Sequence, residues 1–237
     1  MRLDKYAASA ASGRREIKKL INKGSVCVNG KIVKDASFAV KDGDIVEVLG
    51  ERVIYREFVY IMMNKPAGVL SATYDPKHKT VTDLLSEELR RFEPFPVGRL
   101  DIDTTGLLLL TNDGAAAHAL LSPRKKVPKK YIAETDGQIT DDDIKKFADG
   151  ILLDDGYKTM PAKLRVLNNE RTVAEVTVCE GKFHQVKRMF ADTGKHVLKL
   201  ERKEFAGLSL DKTLERGGYR ELLPEELENL GKIMQCY

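Results

Sequence analysis

The residues best placed to do chemistry lie in 98–114, GRLDIDTTGLLLLTNDG, where an acid-bearing polar loop runs straight into four leucines. Residues 107–110, bounded by Gly106 and by Thr111-Asn112-Asp113-Gly114, read as a short buried strand, a rigid anchor for whatever precedes it. Gly98 and Gly106 bracket a loop that can crowd Arg99, Asp101, Asp103, Thr104 and Thr105 together. Aspartates in a loop ordinarily satisfy their own backbone, and Asp103 is read that way. Asp101 differs, because Arg99 falls on its side in an extended segment and would hold the carboxylate ionised and aimed. A carboxylate so held suits nucleophilic or general-base work.

Several elements must carry this loop. Leu3, Tyr6 and Ala7 have helical spacing, and residues 14–23 form a second amphipathic helix, begun by Ser12-Gly13 and ended by Gly24. Ile17, Leu20 and Ile21 point inward, and Arg14, Arg15, Lys18 and Lys19 outward. Residues 25–28 and 31–33 make a hairpin around Asn29-Gly30, and 45–48 add a strand. A linker leads into a strand at 59–63, broken by Pro66 and Gly68, so the domains are read as 1–57 and 58–237. Residues 81–92 read as a scaffold helix with Thr80 as cap, and Asp113 caps another through 115–121. Residues 122–130, SPRKKVPKK, form a five-cation loop suited to a polyanion-facing rim, which flows into a strand at 131–134. Thr140 caps a helix to Phe147, and strands at 162–167 and 172–178 pair antiparallel. A helix over 183–191 turns Val186, Met189 and Phe190 inward, a strand covers 197–202, and Pro224 opens a terminal helix. Strands in meander order with interspersed helices predict an α+β fold with a mixed, mainly antiparallel sheet flanked by helices.

Composition narrows the classes further. No run approaches the ~18 apolar residues of a membrane span, and the N-terminus lacks the apolar core of a signal peptide, so a cytoplasmic protein away from membranes is expected. Cys27, Cys179 and Cys236 read as reduced thiols. Cys179 and His184 stand near each other without further ligands, so no metal site is expected, and no glycine spacing fits a nucleotide cofactor. The total charge is +4, yet through Lys34 nine Lys or Arg face only Asp4 and Glu16. That basic arm is an electrostatic footprint for nucleic acid.

Residues 98–114 resemble the aspartate-bearing motif of the pseudouridine synthases, in the branch of the small-subunit ribosomal enzymes. Asn64-Lys65-Pro66-Ala67-Gly68, Lys130-Tyr131 and the stretch 180–190, EGKFHQVKRMF, resemble that family's other motifs in the same order. The first fifty residues resemble the S4 RNA-binding domain in RLDK, GRREIKKLI, GSVCVNG and KDGDIVEV. The resemblance implies that Asp101 is the catalytic aspartate, that Tyr131 stacks on the target base and helps move its proton, and that Leu200 is a pocket leucine. It leaves open whether Lys187 or Arg188 pairs with Asp101. Arg99 would hold the opened duplex around a flipped nucleotide, and Lys65 would touch RNA. Arg2, Lys5, Arg14, Arg15, Lys18 and Lys19 would neutralise phosphates without reading bases. The implied substrate is a uridine of 16S ribosomal RNA, free or in an assembly intermediate, met by a monomer that needs no cofactor. Three other readings stand beside it: the same reaction on 23S RNA, an RNA-binding protein without chemistry, and a glycoside hydrolase. The last would use Asp101 and Asp103, about 6 to 7 Å apart if extended.

Overall fold

The chain gathers into two units, each combining helices and strands. They comprise Met1–Val59 with Leu85–Pro94, and Tyr60–Leu84 with Phe95–Tyr237. The computed structural model describes residues 1–11, 13–53 and 55–235. The expected helix start at Ser12, and Cys236, lie outside them.

In the first unit α1 (Leu3–Tyr6) and α2 (Arg14–Asn22) pack on β1 (Val26–Val28), β2 (Lys31–Ile32), β3 (Val46–Val48) and β4 (Glu51–Val53). The strands run antiparallel in the order β2-β1-β3-β4, with the tight turn at Asn29-Gly30. Leu3, Ile17, Ile21, Val26 and Val46 are fully buried between the layers. Each such side chain contributes about 1.5–3 kcal/mol of hydrophobic stabilisation. The outward face of α2 leaves Arg14, Arg15, Lys18 and Lys19 exposed.

The second unit is built on β5 (Tyr60–Lys65), β6 (Phe95–Pro96), β7 (Thr105–Thr111), β8 (Lys129–Thr135), β9 (Lys163–Val166), β10 (Val173–Val178), β11 (Val197–Phe205), β12 (Leu208–Ser209) and β13 (Tyr219–Glu221). Its order is β13-β5-β7-β11-β8-β10-β9, with β6 on β7 and β12 on β11. All of these pairs are antiparallel except β7 with β11. The chain is thus the expected α+β fold with a mixed, mainly antiparallel sheet, but it is no meander: β11 inserts between β7 and β8. A parallel neighbour for β7 requires a long crossover, which local patterns do not reveal. Every residue of β7 after Thr105 is buried, as suits a central strand covered on both faces.

Helices complete each unit. Asp113 accepts from the Ala116 amide to cap α4 (Gly114–Leu121), and Thr140 and Asp143 form a capping box on α5 (Asp141–Asp149). The helix expected over 81–92 is instead a 3-10 turn at Thr82–Leu84 and a separate four-residue helix, α3 (Glu87–Arg90). Two local caps divide it: the Asp83 carboxylate takes the Thr80 amide at 2.8 Å, and Ser86 accepts from the Leu89 amide at 3.4 Å.

Candidate active site

A polar loop on the surface holds a fixed shape only if its carbonyls find donors, and residues 100–104 find theirs inside the second unit. Lys65, at the end of β5, is 0% exposed. Its Nζ donates to the carbonyls of Asp101 and Thr104 at 3.0 Å, Ile102 at 3.3 Å and Pro66 at 3.0 Å. An ammonium has three protons, so the longest of these bonds is shared. The Gly68 amide holds Ile102 from the same side at 2.7 Å, and Ser71 brackets Leu100 through both its amide and its carbonyl. Burial brings the Lys65 ammonium down to about 8, with Asp101 and Asp103 opposing that shift. Lys65 therefore corrects the expectation of an RNA contact: no solvent reaches it, and its charge holds the loop.

With its carbonyl turned inward, Asp101 presents its carboxylate outward. Lys187 Nζ lies 3.3 Å from Asp101 Oδ2 and 2.6 Å from Asp103 Oδ1, and His184 Nε2 lies 3.5 Å from Asp101 Oδ1. Lys187 rides on α6 (Gln185–Asp192), which enters through His184 in the left-handed region. Successive helical residues point about 100° apart, so Arg188 faces elsewhere. It pairs with Asp154 and, at 2.8 Å, with Asp155. Between the two cations left open by the sequence, the geometry takes Lys187, and Arg188 belongs to a different loop. Asp103, expected to serve the loop alone, shares Lys187, whose hydrogen bond holds its carboxyl below the usual range.

The Arg99–Asp101 pair does not form. The Thr104 amide bonds the Asp101 carbonyl at 3.1 Å, so the chain turns after Asp101, and Asp101 and Asp103 meet on Lys187. Arg99 is exposed, without an ion-pair partner among the described residues, and it lines the same cavity as Asp101.

That cavity holds about 570 Å³. Tyr131 on β8 and Leu200 on β11 both line it and are buried at 8% and 7% exposure. Strand alternation puts Lys129 on the Tyr131 face and Arg202 on the Leu200 face, and the register sets Arg202 opposite Tyr131. Both cations line the cavity too, although Lys129 reads in sequence as part of a solvated basic loop. His184, Lys129 and Arg202 are the site residues that sequence reasoning missed. Arg202 carried one signal, its place two residues beyond Leu200. Among the described residues, no group of three or more His, Cys, Asp or Glu could hold a metal ion.

The RNA pseudouridylate synthase family model matches residues 59–192, and the S4 domain model matches residues 1–46. The chain belongs to the RNA pseudouridine synthase family. It is an isomerase carrying an N-terminal S4 domain, and it is 50% identical to an uncharacterized RNA pseudouridine synthase of Bacillus subtilis (strain 168), over 98% of this chain and 99% of that one. It is 41% identical to the ribosomal large subunit pseudouridine synthase B of the same organism, over 97% and 95% of the two chains. With the ribosomal small subunit pseudouridine synthase A of Escherichia coli (strain K12) it shares 39% identity, over 97% and 100%. The crystal structure of a pseudouridylate synthase, 35% identical, superposes with a TM-score of 0.69 over 97% of this chain and 99% of that one. No helix among the described residues is long and apolar enough to cross a membrane.

Proposed function

We propose that this chain isomerises a uridine of 16S ribosomal RNA to pseudouridine, in the cytoplasm and as a monomer, with Asp101 acting on the ribose of a flipped-out nucleotide. The observation that carries this reading is the placement of one carboxylate, braced by Lys65 through its backbone and by Lys187 at its oxygens, in the wall of a cavity also lined by Tyr131 and Leu200. The reaction breaks the bond from ribose C1′ to uracil N1, turns the base, and rejoins it through C5. Asp101 either bonds C1′ or takes a proton from the sugar, and both roles use the carboxylate oxygens, one of which lies 3.3 Å from the Lys187 ammonium. Tyr131 stacks on the base, Leu200 packs against it, and Arg99 meets the opened RNA strand. Flipping the nucleotide costs a few kcal/mol, offset by these contacts.

The S4 domain and its linker, residues 1–57, supply affinity, and residues 58–237 supply the chemistry. The ion pairs refine which cations meet phosphate. Arg2 and Lys18 are held by Asp4 at 3.1 and 3.6 Å and Lys5 by Glu57 at 3.5 Å, whereas no described ion pair engages Arg14, Arg15 or Lys19. Relatives named for both ribosomal subunits support ribosomal RNA as the substrate class. The stretches GRLDIDTTGL and DPKHKTV support the small-subunit RNA, free or in an assembly intermediate. Mapping pseudouridines in 16S and 23S RNA from a strain lacking this protein tests the choice. Loss of one 16S modification is expected. A loss confined to 23S RNA would move the substrate to the large subunit, and no loss in either would overturn the reading.

A further inference from the structure

Arg202 is among the largest fully buried side chains in the chain, at 1% exposure. Its Nε donates to the Leu107 carbonyl at 2.8 Å, its guanidinium lies 5.0 Å from the Phe205 ring centroid, and Nη2 has no hydrogen-bond partner. Lys129, 8% exposed, lies 5.6 Å from the same ring and gives its ammonium a single acceptor, the Val127 carbonyl at 3.1 Å. Neither has a carboxylate within ion-pair distance among the described residues. Glu180, which lines the same cavity, is already engaged: its carboxylate takes the Tyr157 hydroxyl at 2.6 Å and the Met160 amide and Gln185 side chain at 2.8 Å.

Two buried cations without a counter-anion are costly, and the Lys129 ammonium shows it: burial first, and then Arg202, bring it down to about 8. A guanidinium in the wall of a cavity, its buried Nη2 left without a partner, carries positive charge that only a negative charge arriving in that cavity would neutralise. The placement says which charge. Arg202 stands opposite Tyr131 and two residues beyond Leu200, at the edge of whatever base those two hold.

We propose that Arg202 and Lys129 stabilise the negative charge that collects on uracil when the C1′–N1 bond breaks. This rests on the uridine-isomerising reading above. The electron pair of the broken bond stays with the base, spread over N1, O2 and O4. When C5 bonds to C1′ that pair becomes the new bond, the C5 proton leaves to solvent and N1 takes up a proton, so no redox partner enters. Neutral uracil gains little from the two cations, and the developing anion gains much. The effect therefore falls on rate and not on binding. A preorganised donor to such a charge in a dry site is worth about 10²–10³ in rate.

The test uses full-length protein in single turnover on 16S and 23S transcripts. One set carries uridine tritiated at carbon-5, read by tritium release. The other carries 5-fluorouridine, read as its loss in nucleoside chromatography. Arg202→Met should slow uridine turnover by about 10²–10³ with RNA affinity unchanged. On 5-fluorouridine, whose fluorine already stabilises the base anion, its loss should be at least about tenfold smaller, since a donor acting on leaving-group charge matters less to a better leaving group. Lys129→Met should give the same pattern with a smaller loss, and Arg202→Lys a partial rescue. These two variants decide the matter if Arg202→Met fails to fold for want of its bond to Leu107. Equal losses on the two substrates would make Arg202 and Lys129 scaffold and overturn the proposal, as would wild-type rates. A wild-type protein that releases no tritium from either RNA, free or assembled with ribosomal proteins, would overturn the uridine reading itself, and this proposal with it.

Discussion

An ammonium buried without an ion pair has to be held by dipoles, and three of the four carbonyls that hold Lys65 belong to residues 101–104. Its acidity gives a direct handle. Lys65 loses its proton near pH 8 in the fold and near 10.5 when unfolded, so between those values the unfolded chain carries a proton that the folded chain has released. Stability attributable to Lys65 therefore rises with pH across that window, by about 1.4 kcal/mol per pH unit, and is lowest below pH 8. The stability gap between wild type and Lys65→Met, from urea unfolding at pH 7.5 and 9.5, should move in favour of wild type at the higher pH. A constant or shrinking gap would contradict the buried, carbonyl-held lysine. This lysine was not legible in sequence, because Asn64-Lys65-Pro66 looks like any loop, and burial of an ammonium depends on carbonyls some forty residues away. Asp101 was singled out in the sequence by Arg99 two positions before it and by the leucine strand that follows. Arg99 misled, since a spacing of two does not decide that side chains pair, and Arg99 stands exposed with no ion-pair partner among the described residues.

At the scale of elements, the seam between β7 and β11 joins the Asp101 loop to the strand bearing Leu200 and Arg202. Gly106 lies in that seam opposite Arg202, with φ of +99°. A Cβ there would press on the Arg202 carbonyl and meet its amide nitrogen and Glu201 Cγ at 2.9 Å. Neither backbone atom can swing away. Gly106→Ala should thus cost about 2 kcal/mol or more, a drop of roughly 4–8 °C in Tm, with uridine turnover falling as the seam opens. Stability within about 0.5 kcal/mol of wild type would show that the seam gives way freely. Elements written in local chemistry were readable in advance: the leucine strand, the Asp113 cap, the Thr140 box and the Asn29-Gly30 turn. The seam was not, because parallel pairing follows from a crossover between residues 96 positions apart, Thr105 with Glu201 and Gly106 with Arg202. Residues 81–92 carried a helical apolar stripe, but Asp83 and Ser86 supply caps inside it, and a stripe does not show where backbone donors are diverted.

At the scale of the whole molecule, affinity and chemistry are assigned to different parts of the chain and should separate by mutation. Replacing Arg14, Arg15 and Lys19 together with Gln removes three exposed charges that no described ion pair uses. Ribosomal RNA binding should weaken, and the slope of log affinity against log salt should flatten by about 2 to 3 units, while bound RNA still turns over. An unchanged slope would mean that α2 does not meet phosphate. The central assignment is the carboxylate of Asp101, and its most direct measurement is tritium release from ribosomal RNA carrying 5-tritiated uridine. Asp101→Asn keeps the size of the side chain and leaves the backbone carbonyl on Lys65, so the protein should fold and bind RNA as before yet release no tritium. Asp103→Asn, which removes only the second acid on Lys187, should keep substantial release. Release at the wild-type rate from Asp101→Asn would contradict the assignment outright.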